Sequence, residues 1–247
     1  MQKRIVIIGA TSGIGLATAR ECLKAGWIVG VAGRRRERLE ALCLEAPDRV
    51  YTAEIDVTKS EAPEQLLALV EQMGGMDCYF HVSGIGTQNP LLDLEIEMRI
   101  VATNVAGFTR LIDTAYGYFR AKGGGHIAAI SSIAGTMGLG SAPAYSATKR
   151  FQNTYLQALA QLSHMKGDKI CFTDIKPGFV ATDLLNDSNH YPLLMQPEKV
   201  GRRVFRALRR RERSVIIDWR YALLVFVWRL IPSCLWERLS IKTRNKA

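Results

Sequence analysis

Short, mostly apolar runs alternate along the chain with longer stretches in which apolar positions recur every three or four residues. The short runs fall at residues 4–8, 28–32, 50–55, 78–82, 127–131, 169–175 and 215–217. Most are rich in β-branched residues and show no polar face, the pattern of strands covered on both sides in a parallel sheet. Helical patterns lie between them. One spans residues 13–25 and stops at Gly26, a residue that readily takes the left-handed conformation beyond a helix end. A second opens at Thr58 with Glu61 three positions on, the spacing of a capping box. A third runs unbroken over 93–121 into Gly123, Gly124 and Gly125, and a fourth covers 144–164. Strands alternating with helices predict an α/β fold with a doubly wound, mostly parallel sheet. No repeat interrupts this order, so one domain is expected over 1–217, with a helical C-terminal extension over 218–247.

In such a sheet the ligand sits beyond the carboxyl ends of the strands. Gly9, Gly33, Asp56, Ser83, Ser132 and Pro177 all follow strand ends. The first strand runs into Gly9-Ala10-Thr11-Ser12-Gly13-Ile14-Gly15 and then into a helix. Glycines remove the Cβ atoms that would hold a pyrophosphate away from the backbone, and the helix N-terminus offers N–H groups and a positive dipole end. Tyr145 and Lys149 are four positions apart and share one helix face. An ammonium beside a phenol lowers the phenol's pKa, which suits a general acid/base in alcohol–carbonyl interconversion. Ser132 lies 13 positions before Tyr145, at the end of a neighbouring strand, where its hydroxyl can hold a reacting oxygen.

With these motifs the chain resembles the short-chain dehydrogenase/reductase family, and the likeness covers residues 5–217. The glycines are spaced G-x-x-x-G-x-G. Asp56-Val57-Thr58 matches the family's adenine-contacting pair. Asn104, in Thr103-Asn104-Val105, matches its helix asparagine, and Pro177-Gly178-Phe179-Val180-Ala181-Thr182 matches the P-G-x-V-x-T segment beside the nicotinamide. The resemblance implies a Rossmann-type fold and a catalytic set of Asn104, Ser132, Tyr145 and Lys149. Asn104 would anchor a water that links Lys149 to solvent, and Ser132 rather than Ser131 would hold the substrate oxygen. The cofactor would lie against Gly9, Thr11, Ser12, Gly13, Ile14, Gly15, Asp56, Val57, Ser83, Gly84, Tyr145, Lys149, Pro177, Gly178, Val180 and Thr182. One motif departs: the family's Asn-Asn-Ala-Gly reads His81-Val82-Ser83-Gly84 here, and His81 is read as structural.

The second strand runs into Gly33-Arg34-Arg35-Arg36 with no acid to grip a ribose 2′-hydroxyl, so Arg34 and Arg35 point to a 2′-phosphate and favour NADP(H) over NAD(H). Ser12, where NADP-preferring relatives often carry a basic residue, counts the other way. The implied activity interconverts a secondary alcohol with a ketone or aldehyde by hydride transfer. An epimerase half-reaction or dehydratase on a sugar or lipid-linked sugar stays open, as does an NADPH-binding sensor or scaffold without turnover. Leu184, Leu185 and 191–195 resemble the family's apolar lid, and with Met137 and Leu139 they suggest an apolar pocket.

The 247 residues are 48% hydrophobic and 23% charged, too polar for a polytopic membrane protein and too apolar for a disordered one. Five scattered cysteines without a C-x-x-C pair argue against a disulfide framework or a zinc site, and no partnered histidines suggest another metal. They fit a reducing cytoplasm, and the apolar N-terminal stretch lacks a signal-peptide cleavage site. Residues 1–198 hold 19 basic and 20 acidic side chains, whereas 199–247 hold 14 and 3, a net of +11 in the last fifth. That block lacks a nucleic-acid-reading motif. It brackets the apolar run from Ala222 to Trp228, which is far shorter than the ~20 residues that span a bilayer. Three readings of the tail follow: a subunit interface of a homodimer or homotetramer, peripheral contact with an anionic membrane, or simple packing on the domain. The anchors Trp219, Trp228 and Trp236 put the interface slightly ahead.

Overall fold

The computed structural model describes residues 2–185, 189–241 and 244–245. Strands β1 (Arg4–Ile8), β2 (Ile28–Gly33), β3 (Val50–Glu54), β4 (Cys78–His81), β5 (Gly125–Ile130) and β6 (Ile170–Pro177) come first in the chain. A two-residue β7 (Asn189–His190) precedes β8 (Ser214–Ile217), and β9 (Arg244–Asn245) pairs antiparallel with β7. The other seven form one parallel sheet in the order β3-β2-β1-β4-β5-β6-β8. The order reverses direction at β1 and β4, which places a crevice at the carboxyl ends of those two strands.

Helices α1 (Gly13–Lys24), α2 (Arg36–Glu45), α3 (Ala62–Gln72), α4 (Leu94–Val101), α5 (Phe108–Lys122) and α6 (Pro143–Lys166) fill the crossovers. Helices α7 (Pro197–Arg210), α8 (Trp219–Leu230) and α9 (Ser233–Trp236) close the chain. Side chains alternate between the two faces of β1. Ile5 and Ile7 join Val29, Val31, Val204 and Tyr221 in one core, while Val6 and Ile8 join Leu66, Phe108 and Phe119 in the other. This two-sided burial is why the strands read as unbroken apolar runs. It also draws in the extension, since Tyr221 and Val225 of α8 are buried in the first core. Residues 218–236 are therefore continuous with the domain they follow.

Two expected features differ. The helix expected over 93–121 is interrupted by a π-turn at Ala102–Gly107. A wider turn suits Gly107, where a Cβ would sit 2.7 Å from the Val57 carbonyl oxygen, so the helix meets the chain after β3 at backbone contact. The capping box at Thr58 does not form. Thr58 instead donates from its amide and its hydroxyl to Asp56 Oδ1 (3.0 and 2.8 Å), and α3 begins only at Ala62, with Pro63 in its first turn. An Asx turn has taken the hydroxyl the cap needed. Two helix ends are set by glycines, Gly123 (φ +85°) after α5 and Gly167 (φ +71°) after α6.

The glycines of α5 and the π-turn generate a paired prediction. Gly117 lies inside α5 with nothing within 4 Å of the position a Cβ would take, so Gly117→Ala should stabilise the fold by about 0.5–1 kcal/mol. Gly107→Ala should cost about 1–3 kcal/mol, because the Val57 backbone cannot move aside cheaply. Urea unfolding of both variants tests the pair, with opposite shifts of the midpoint expected.

Candidate active site

The turn from β1 to α1 is held by backbone. Gly9 has φ +91°, and a Cβ on it would lie 2.6 Å from the Ser83 amide nitrogen. A Cβ on Gly15 would lie 2.1 Å from the Gly9 carbonyl oxygen, so strand and helix pack as closely as two backbones can. Gly13 (φ +53°) faces Thr182 across the turn. Ser12 precedes α1 without capping it through its side chain, which leaves the first-turn amides open toward the crevice.

Guanidinium groups crowd the end of β2. Arg35 donates to Thr11 Oγ1 (2.9 Å), to Ser12 Oγ (2.7 Å) and to Asp183 Oδ2 (2.8 Å), and Arg38 reaches the same carboxylate at 3.3 Å. The Arg35 contact holds the Asp183 carboxyl below its ordinary range. Arg34 is exposed and makes no hydrogen bond or ion pair among the described residues. Burial pushes Asp56 up, but the Thr58 bonds and the nearby Arg34 outweigh it and leave its pKa lowered. Val57 is buried beside Asp56, and Ile14 is half-buried at the start of α1. Pro177 ends β6, Gly178 packs against the Tyr221 ring, and Val180 is buried and bridged to Met195. The residues expected to line a cofactor thus share the carboxyl edge of the sheet.

The two serines after β5 diverge. Ser131 Oγ donates to Asp174, which also pairs with Lys176 inside the sheet. Ser132 Oγ turns the other way, accepts from the Ala134 amide at 3.0 Å and hydrogen-bonds to Tyr145. Tyr145 and Lys149 stand one turn apart on α6, with Lys149 Nζ 5.8 Å from the centre of the Tyr145 ring. The ring rests on Gly86, where a Cβ would overlap it at 2.3 Å.

The expected lowering of the Tyr145 pKa is absent here. Burial raises it, and only the Ser132 hydrogen bond pulls it back. The reason is where the ammonium points: Lys149 Nζ donates to the Ile130 carbonyl and to Gln152 Oε1, each at 3.0 Å. Burial brings the Lys149 pKa down to about 8, against an upward pull from Asp174.

Asn104 sits in the π-turn, wholly buried. Its Oδ1 accepts from the Ile85 amide (2.9 Å), and its Nδ2 donates to the Ile85 carbonyl (2.7 Å) and to Thr148 Oγ1 (3.1 Å). Its backbone carbonyl accepts from Gln152 Nε2 at 2.9 Å. Gln152 therefore links Lys149 to Asn104 through its own amide. Gln152 was missed because an amide three positions past a helical lysine reads as an ordinary surface residue. The signal was its place on the inward face, in register with Lys149. A Cβ on Gly84 would lie 3.3 Å from Asn104 Oδ1 and 3.4 Å from Lys149 Nζ, so Gly84 floors the same space.

His81 is buried against Phe108, with its Nδ1 2.8 Å from the Tyr79 hydroxyl. Burial and then the Lys149 charge push its pKa down to about 3, so it is a neutral ring in the core. Among the described residues no group of three His, Cys, Asp or Glu side chains is placed to hold a metal ion.

Comparison with known proteins agrees with this geometry. The sequence profile for short chain dehydrogenase matches residues 3–192. An uncharacterized oxidoreductase of Myxococcus xanthus is 30% identical over 246 residues, covering 97% of this chain and 96% of that one. A 3-ketoacyl-(acyl-carrier-protein) reductase from Brucella melitensis, solved with NADH, superposes with a TM-score of 0.77. It is 23% identical over 87% of this chain and 96% of its own. An alcohol dehydrogenase from the archaeon Thermococcus sibiricus, solved with 5-hydroxy-NADP, gives 0.77 at 22% identity, over 88% and 96%. The chain is thus an enzyme of the short-chain dehydrogenase family of oxidoreductases.

Proposed function

We propose that the chain is an NADP(H)-dependent reductase or dehydrogenase that interconverts an alcohol with a ketone or aldehyde, with Tyr145 as the general acid/base. One observation carries this reading. Ser132, Tyr145 and a buried Lys149 converge on one space at the carboxyl edge of the sheet, beside the open amides of α1. That edge fits a nicotinamide dinucleotide: the uncapped first turn of α1 suits a pyrophosphate, and the guanidinium cluster at Arg34, Arg35 and Arg38 suits a phosphate on the adenosine ribose. When bound, the cofactor supplies or accepts the hydride.

The residues of this chain handle the proton and the oxygen. Ser132 Oγ accepts from Ala134, so its own proton, which faces Tyr145, can swing to a substrate oxygen placed between the two hydroxyls. Tyr145, kept neutral by burial, delivers its proton to that oxygen on reduction and recovers it on oxidation. Lys149 supplies positive charge beside the phenolate that is left. Gln152 acts through Lys149 as a positioning residue. Its amide is fixed in one orientation, since Nε2 must face the Asn104 carbonyl and Oε1 must face the ammonium.

Three measurements follow. Tyr145→Phe should lower kcat for carbonyl reduction by at least ~100-fold while NADPH affinity, read by fluorescence titration, stays within about twofold. Retention of more than about a tenth of the rate would exclude Tyr145 as the proton donor. Replacing Arg34 and Arg35 together by alanine should weaken NADPH binding by about 1.5–3 kcal/mol and NADH binding far less. Equal losses would mean that neither side chain reads the 2′-phosphate.

The third concerns pH. With its pKa near 8, Lys149 is an ammonium below that pH, so the function that needs its charge persists below about pH 8 and fades above it. Gln152→Met removes an acceptor from the charged form, so the pKa should fall further, by about one unit. An NMR titration of the Lys149 Nζ in the cofactor-free protein reads the midpoint directly, and an unmoved midpoint would reduce Gln152 to packing.

A further inference from the structure

Helix α8 is apolar on both sides. Tyr221 and Val225 face inward and are buried, and Leu224 and Trp228 pack against the same core. Trp219, Leu223, Phe226, Val227 and Leu230 follow one another at helical spacing on the outward side, and all are exposed, Trp219 by 73% and Leu230 by 67%. Leu235 and Leu239 carry exposed apolar surface past the helix end. A stripe of this size left in water marks a surface with a partner. Basic side chains rim it: Arg220 is paired with Asp218, while Arg229 and Arg238 have no ion pair among the described residues.

The inner side of the same segment holds the mouth of the site. The Tyr221 hydroxyl accepts from the Phe179 amide (3.1 Å) and donates to the Pro192 carbonyl (2.8 Å). Trp236 Nε1 donates to the Gly138 carbonyl (2.7 Å) in the loop leading to α6, and its ring meets Trp228 edge-on at 5.4 Å. Leu184, Leu193 and Leu194, beside this mouth, are also exposed.

We propose that the outward face of α8 and α9 rests on an anionic lipid surface, and that the site takes apolar alcohols or carbonyls dissolved in that surface. The substrate class rests on the catalytic reading above; the docking does not. A second copy of the chain fits the stripe less well. A second copy would bring the same basic surface, since residues 199–247 hold 14 basic and 3 acidic side chains, so a contact through this face sets like charge near like charge. Anionic headgroups instead pair with the arginines, while tryptophans and leucines enter the headgroup–acyl boundary. Twelve residues of helix span about 18 Å, too short to cross ~30 Å of hydrocarbon, so α8 lies in the plane of the surface.

The test uses full-length protein and vesicles of phosphatidylcholine with or without phosphatidylserine. Wild type should sediment with the anionic vesicles at least about tenfold more than with neutral ones, and about 0.5 M salt, where the Debye length is ~4 Å, should release it. Leu223→Ser with Phe226→Ser, and separately Arg229→Glu with Arg238→Glu, should each lose about tenfold or more of that binding. Both pairs are exposed, so their unfolding midpoints should match wild type. No sedimentation of wild type, or undiminished binding by the serine pair, overturns the docking. So does a lipid-independent dimer, seen by sizing, that the serine pair dissociates. For the substrate class, the serine pair should reduce a short water-soluble aldehyde at the wild-type rate and a long-chain aldehyde held in vesicles several-fold more slowly. Equal rates on both overturn that half. Vesicle binding needs no turnover, so an active Tyr145→Phe enzyme would remove the catalytic reading and leave the docking result standing.

Discussion

An ammonium group taken out of water has to be given acceptors, and Lys149 is buried where α6 crosses the end of β5. The Ile130 carbonyl, at the last residue of the strand, is one acceptor; Gln152, one turn along α6, is the other. Gln152 in turn needs an acceptor for its own Nε2, and the π-turn presents the Asn104 carbonyl to it. Asn104 is then locked by Ile85 and Thr148. A single buried charge thus accounts for a strand end, an irregular helix and a chain of amides, each satisfying the next. The arrangement leaves the charge near the Tyr145 ring without spending it on the Tyr145 hydroxyl.

The sheet was legible because its strands are covered on both faces. In β1 the pairs Ile5/Ile7 and Val6/Ile8 serve two separate cores, so no polar residue breaks the run. The site edge was legible for a related reason: a backbone-on-backbone turn at Gly9 and Gly15 admits no side chain, and that exclusion is written as glycine. Tyr145 and Lys149 could be put on one face by counting. Counting could not say where the Lys149 ammonium points, and so the direction of the Tyr145 shift came out opposite.

Other misses have equally local causes. The π-turn adds less than one residue to a helical turn, so the apolar period over 93–121 reads as continuous. At Thr58 two hydrogen-bonding motifs compete for one hydroxyl, and the nearer carboxylate, Asp56, holds it. The tail was recognisable as apolar and basic. Its inward attachments at Tyr221 and Trp236 depend on partners tens of residues away in sequence, and no pattern within the tail announces them.

The Tyr221 hydroxyl adds a side-chain tie to two stretches that the Val180–Met195 bridge already joins through the backbone. It holds the Phe179 amide on one side and the Pro192 carbonyl on the other, and its ring fills the space a Cβ on Gly178 would need. The segment after β6 and the segment before α7 therefore cannot part without uncoupling at one phenol. Separating this wall would break the phenol's bonds and the Met195 backbone bonds together. A rate of ligand exchange measured at either segment is expected to report on both.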